Sequence, residues 1–213
     1  MTNASLLDLP WLLSPITTSD FQEGYLEKQA LFISAGDSLK YDQLMKSTDL
    51  ELWFWQQEHR LSALVTAFSC GTQLHPERYL SKELYRRWLL EVYQRGGTLV
   101  VNQVDEFCLP VAQLVRELST VFMGEVSANL YVSPPSAVGF APHFDRHDVF
   151  VIQVAGSKNW RVMDVPETEL PTERQLQGVS PRMDAQAREI RMTRGCLLYQ
   201  PRPGARSERG TDG

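Results

Sequence analysis

The hydrophobic period of this chain changes near Glu125, and that change sets the fold class. Before it, apolar residues recur at three- and four-residue steps. Leu84, Trp88, Leu89, Val92 and Tyr93 follow Ser81 in this way, and Val111, Leu114, Val115, Leu118 and Phe122 follow Pro110. Such spacing lays one apolar stripe along a helix. Ser81 suits an N-cap, Pro110 a first helical turn, and Gly96-Gly97 a helix stop. Asp20 is the expected cap of an earlier helix carrying Phe21, Tyr25 and Leu26, and residues 30–33 and 98–102 read as strands. After Glu125 the period shortens. Residues 126–132, 149–154, 159–162, 189–192 and 196–199 are short β-type runs, separated by turn-forming Ser133-Pro-Pro, Gly156-Ser157 and Arg194-Gly195. Residues 164–188 are polar and contain proline, which predicts a loop with one helical turn at most. A helical front half followed by antiparallel-type strands predicts an α+β protein, with a helical region over 1–124 supporting a β-barrel or jelly roll over 125–201. Residues 202–213 offer no side chain able to bury a core face, so they are expected to be disordered.

Bulk properties narrow the partners. A net charge of −5 argues against nucleic-acid binding by the whole surface, and no direct nucleic-acid partner is expected. Three widely spaced cysteines, Cys70, Cys108 and Cys196, form no CxxC pair and suit a reducing compartment. No basic-then-apolar leader and no run of about 20 apolar residues is present, so a soluble intracellular protein, cytoplasmic or nuclear and without a membrane partner, is expected.

His143-Phe-Asp145 is the motif with the most chemistry in it. On an extended strand, residues i and i+2 point to one face, so the imidazole and the carboxylate can reach one ion. Two histidines and one carboxylate on one face of an octahedron leave three open positions, as non-haem Fe(II) requires when it holds a co-substrate and dioxygen together. A lone HxD triplet is more often a surface pair. Lys158 follows fifteen residues later, past a Gly-Ser turn, where an ammonium can meet the distal carboxylate of a dicarboxylate; its plainer reading is a solvated hairpin lysine. Asn129 and Tyr131 alternate on the preceding strand and share a face, either to hydrogen-bond a carboxylate or to pack the barrel interior.

Taken together, these segments resemble the JmjC/cupin Fe(II)/2-oxoglutarate oxygenases, and among them the ribosomal oxygenases, which hydroxylate residues of ribosomal proteins. The resemblance is carried by Asn129-Leu-Tyr-Val-Ser-Pro134, by Gly139-Phe-Ala-Pro-His-Phe-Asp145 and by residues 147–162, with support from residues 20–33 and 97–105. It implies a double-stranded β-helix of the cupin type. It implies Fe(II) on His143 and Asp145, 2-oxoglutarate as co-substrate paired with Lys158 and steadied by Asn129 and Tyr131, a protein substrate of ribosomal type, and a homodimer in a full-length form. One part of the pattern is different. The family places a third ligand, a histidine, a few residues past the strand that ends at Tyr199, but here Gln200-Pro-Arg-Pro-Gly-Ala-Arg206 follows and no histidine occurs after His147. The last barrel strands and the C-terminal modules of the ribosomal subgroup find no match either. The expectation is therefore a C-terminally truncated form with an incomplete barrel, the rival readings being an inactive protein-binding module and, less favoured, a cupin using another metal. His147 shares the strand parity of His143 but not the strand from which the family's third ligand comes. His59 and His75 are expected at the surface or at helix caps.

Overall fold

The computed structural model describes residues 7–46, 53, 60–77, 80–135, 137, 139–141, 143–163, 187–202 and 205–210. The first two helices are fixed by their caps. In α1 (Leu9–Leu13) Asp8 accepts a 2.8 Å bond from the Trp11 N–H, with Pro10 in the first turn. α2 (Thr18–Gly24) is capped by Thr17, not by Asp20 as the sequence suggests. The Thr17 Oγ1 accepts from the Asp20 N–H at 3.1 Å and donates to Asp20 Oδ2 at 2.6 Å, so the acidic residue sits in the first turn, tied to the capping hydroxyl. β1 (Leu31–Ile33) follows.

A second unit begins with α3 (Leu61–Leu64), which runs directly into β2 (Val65–Ser69), β3 (Thr72–Leu74) and α4 (Lys82–Gln94). Ser81 caps α4 as expected, and Gly96 at φ +91° turns the chain back into β4 (Thr98–Val101). α5 (Leu109–Phe122) carries Pro110 in its first turn and leads to β5 (Leu130–Val132). The strand expected from residue 126 starts only at 130. The Ala128 N–H instead donates to Asp105 Oδ1 at 2.8 Å, and the Ala128 carbonyl accepts from Val104 N at 2.8 Å, so a turn before α5 takes the bonds a ladder would need. The antiparallel order β3-β2-β4-β5 results, with Leu89 and Val92 of α4 packed on Val65, Ala67, Leu99 and Val101.

The remaining strands form two more antiparallel sheets: β6 (His143–Phe144), β7 (Val149–Ile152), β8 (Ser157–Met163), β9 (Arg188–Thr193), β10 (Leu197–Gln200) and β11 (Ala205–Gly210). One sheet has the order β1-β10-β7 and the other β6-β11-β8-β9. The strands expected at 149–154, 159–162, 189–192 and 196–199 thus appear with shifted ends; the loop expected over 164–188 lies outside the described residues up to 186. The disorder expected for 202–213 is corrected by β11. It pairs along its whole length with β8, from Ala205 opposite Met163 to Gly210 opposite Lys158, and on its other edge with β6. Ladder bonds come from the backbone, so a segment poor in apolar side chains still finds its place between two strands.

β10 shows why these sheets stack. Its alternate residues face two cores: Leu197 and Tyr199 pack with Leu9, Leu12, Phe21, Leu114 and Leu118 of the helices, while Leu198 packs with Trp160, Val162 and Met192 of the facing sheet. All three β10 residues are fully buried. The fold is thus α+β, with helices on one side of jelly-roll-like sheets. Arg194, in the β9–β10 turn, clamps the front of the chain to this core by donating to both carboxylate oxygens of Asp42 at 2.6 and 2.5 Å. The following Gly195 stands at φ +90°, and a Cβ there would lie 2.6 Å from the Asp37 carbonyl, so that turn accepts no side chain.

Burial pushes the Tyr41 and Tyr199 phenols well above their usual value near 10, the latter aided by its bond to Asp148. A proton held more tightly in the folded state gives stability that is complete below pH 10 and is lost as pH rises above it. Each of the two should remove about 1.4 kcal/mol per pH unit there. Burial pushes the Lys40 ammonium down from 10.5, which acts in the opposite sense, but only up to that value. Urea unfolding at several pH values should show stability falling steeply above pH 10, less steeply in Tyr199→Phe. A flat alkaline limb would contradict the burial of both hydroxyls.

Candidate metal and co-substrate site

β6 is short because the chain bends away at 146–147, so His143 lies on the strand and Asp145 just beyond it. The His143 Nδ1 is 2.8 Å from the Ala141 carbonyl. A carbonyl only accepts, so Nδ1 donates to it, and Nε2 is the ring nitrogen left to meet an ion. Nε2 stands 3.8 Å from Asp145 Oδ2. Cis ligands each about 2.1 Å from an ion stand about 3 Å apart, so a small side-chain rotation brings both atoms onto one cation. A histidine whose other nitrogen is held by a backbone carbonyl is also how metal-binding imidazoles are commonly oriented. The donors present therefore fit a divalent metal, as a two-residue set. Among the described residues no group of three His, Cys, Asp or Glu is placed to share an ion.

Lys158 lies near the start of β8, only 9% exposed, with Nζ 6.0 Å from the centre of the Tyr131 ring. Tyr131 is on β5 and 45% exposed, and its ring meets Phe140 edge-on at 5.8 Å. Phe140 in turn stands 6.2 Å from the His143 ring and 5.1 Å from Phe68. One aromatic row thus links the lysine side of the site to the histidine side. Asn129 is exposed just before β5, and its Oδ1 accepts a 3.1 Å bond from the Gln103 N–H, where the backbone is left-handed at φ +55°. Its carbonyl oxygen thereby holds the turn before α5, which leaves its amide NH2 as the group able to donate to a ligand.

All five residues named from the sequence, Asn129, Tyr131, His143, Asp145 and Lys158, line one cleft of about 1880 Å³. The cleft runs between α5 and β5 on one side and β7 and β8 on the other, with Val132, Val151 and Trp160 among its apolar walls. His147 also lines it, but it sits in the bend and not on a strand, so the strand parity expected to align it with His143 does not apply. His75 is exposed, and His59 lies outside the described residues. Two contributors were not singled out in the sequence: Phe140, which links Tyr131 to His143, and the Ala141 carbonyl, which holds the His143 ring. Both lie within residues 139–145, so the motif contained them; only their contacts reveal their part. Among the described residues no helix is long and apolar enough to cross a membrane.

Comparisons with known proteins bear on the fold and the family. Residues 104–209 match the JmjC domain model. The chain is 29% identical over 199 residues to the bifunctional lysine-specific demethylase and histidyl-hydroxylase NO66 of Drosophila persimilis, covering 91% of this chain and 28% of that protein. It is 28% identical over 209 residues to human ribosomal oxygenase 1, covering 90% of this chain and 30% of that one. Among solved structures, ycfD of Escherichia coli superposes with a TM-score of 0.60 at 19% identity, over 92% of this chain and 50% of ycfD. The same protein in complex with cobalt and 2-oxoglutarate superposes with a TM-score of 0.55 at 19% identity, over 93% of this chain and 49% of that chain. The chain thus spans under a third of the curated relatives and about half of the solved one. It belongs to the JmjC-domain family.

Proposed function

We propose that this chain holds a ferrous ion on His143 and Asp145 and 2-oxoglutarate on Lys158, and acts as a 2-oxoglutarate-dependent oxygenase on a side chain of a protein substrate, of the ribosomal class its curated relatives' name points to. The observation that carries the reading is the placement of an imidazole held by a backbone carbonyl, a carboxylate and a buried lysine around one cleft. When bound, the metal supplies the oxidising chemistry that couples loss of carbon dioxide from the co-substrate to hydroxylation of a C–H bond.

The protein's own residues do the rest. Ala141 holds the His143 ring so that Nε2 is left to meet the ion. Asp145 contributes the negative charge that offsets the cation. Lys158, nine-tenths buried, pairs with the far carboxylate of 2-oxoglutarate in surroundings where screening by water is reduced. Tyr131 packs beside that ammonium, and the Asn129 amide is placed on the same wall to donate to the co-substrate. Phe140, Val132 and Trp160 are among the apolar side chains that line the cleft. A second reading, a protein-binding module without turnover, is favoured by the absence of a third donor among the described residues.

Succinate formation from 2-oxoglutarate, with Fe(II) and ascorbate, separates the two. Turnover by the native chain that is lost in His143→Ala is the expected result. A native chain shown to be folded that forms no more succinate than the variant would leave only the binding module.

A further inference from the structure

The carboxylate of the candidate metal pair stands on a piece of chain that no sheet holds. β6 ends at Phe144 and β7 begins at Val149. Asp145 lies between them, and among the described residues no backbone–backbone bond outside the ladders involves residues 145–148. Arg146 and His147 form an exposed bend. The far end of that bend is fixed by a side chain instead. Both oxygens of Asp148 are engaged: Oδ2 accepts from the Tyr199 hydroxyl at 2.5 Å, and Oδ1 accepts from the Arg202 N–H at 3.0 Å. The Glu27 N–H donates to the same hydroxyl at 3.0 Å, which leaves the one phenolic proton for Asp148. Tyr199 is fully buried on β10 with its ring against Phe21 and Phe150, so close packing makes it a fixed anchor.

We infer that Asp148 is a positioning residue for the metal pair: tied to Tyr199 and Arg202, it closes the far end of the segment that carries Asp145. Three residues of chain span at most about 11 Å, so a held Asp148 restricts where the Asp145 carboxylate can stand relative to His143. With both oxygens already bonded, Asp148 serves the site as an anchor and not as a donor to the ion, although it lines the same cleft. Metal affinity depends on such supports, and their loss commonly weakens it about 10- to 100-fold. The inference rests on the proposed metal role of His143 and Asp145.

The test is Co(II) affinity, measured by competition with a chromophoric chelator, together with the visible spectrum of the bound ion. Asp148→Ala should weaken Co(II) binding by about 10- to 100-fold and alter that spectrum, and Asp148→Asn and Tyr199→Phe should each weaken it less. Asp148→Ala with Tyr199→Phe should bind no more weakly than Asp148→Ala alone, because both changes remove one interaction. Binding of 2-oxoglutarate without metal should stay at the native level in Asp148→Ala. Tyr41→Phe, which removes another buried hydroxyl, from the Leu12 carbonyl, should lower stability and leave Co(II) affinity alone. Should Asp148→Ala fail to fold, Asp148→Asn and Tyr199→Phe carry the test. Three outcomes overturn the inference and leave the metal pair intact. The Asp148 and Tyr199 variants could bind Co(II) as the native chain does while His143→Ala does not. Tyr41→Phe could lose as much affinity as Tyr199→Phe, which would make the effect one of general stability. The Asp148 and Tyr199 losses could add, which would make Asp148 a ligand in its own right. Absence of His143-dependent Co(II) binding in the native chain would remove the metal pair itself, and the inference with it.

Discussion

Tyr199→Ala should be the most destabilising substitution in the barrel, at about 3–5 kcal/mol, a large part of the 5–15 kcal/mol that holds a typical domain together. The ring is fully buried and meets Phe21 at 4.8 Å and Phe150 at 5.0 Å, so its removal opens a cavity between the helices and β7. Its hydroxyl donates to Asp148 Oδ2 at 2.5 Å and accepts from the Glu27 N–H at 3.0 Å, tying the turn after α2 to the start of β7. The other oxygen of Asp148 accepts from the Arg202 N–H at 3.0 Å, and Arg202 also reaches Glu27 Oε1 at 2.8 Å. These bonds hold Arg202, just past β10, against Asp148 and Glu27. Tyr199→Phe keeps the ring and loses the hydroxyl, leaving Asp148 and the Glu27 N–H each short of a partner, and should cost about 1–3 kcal/mol. Urea unfolding of both variants checks the split. A Tyr199→Ala midpoint close to the native one would contradict the packing of β10 against the helices.

Lys158→Ala should weaken 2-oxoglutarate binding by roughly 30- to 1,000-fold, which corresponds to about 2–4 kcal/mol. Lys158 as a whole is 9% exposed and its Nζ sits 6.0 Å from the Tyr131 ring centre, so a carboxylate that reaches it is partly shielded from water. The expected loss is larger than for an exposed ion pair, whose contribution is about 1 kcal/mol or less. Lys158→Arg keeps the charge but alters the length and the donor geometry and should recover only part of the affinity. Calorimetric titration with 2-oxoglutarate measures both variants. Equal dissociation constants for native protein and Lys158→Ala would place the co-substrate elsewhere.

Much of this was legible in the sequence because it depends on local patterns. Helical spacing after Ser81 and after Pro110 predicted α4 and α5, with Ser81 before the first and Pro110 in the opening turn of the second, and β-type runs predicted β7 to β10 within a few positions. The five candidate residues line one cleft, although Asn129 stands just before β5 and Asp145 just beyond β6. What the sequence could not show depends on partners far along the chain. Thr17 replaces Asp20 as a cap because two oxygen-bearing side chains three residues apart compete for one role, and only backbone geometry decides between them. Residues 126–129 look like strand, yet Asp105 and Val104 take their backbone bonds. β11 looks like a disordered tail by composition, yet β6 and β8 offer it two ladders. The same long-range pairing sets position 206 opposite His143 in the register, which no spacing rule within the chain would have found. The orientation of the His143 ring likewise depends on the Ala141 carbonyl two residues away.

The account rests on one cleft holding a metal and a dicarboxylate together, and coupled binding tests that directly. Titration of the native chain with 2-oxoglutarate, with and without Mn(II) in place of the oxidisable iron, should show tighter binding when the metal is present. That increment should vanish in His143→Ala and in Asp145→Ala, while Lys158→Ala lowers the affinity in both conditions. Binding that ignores the metal, or a metal effect that survives loss of His143 and Asp145, would contradict the site described.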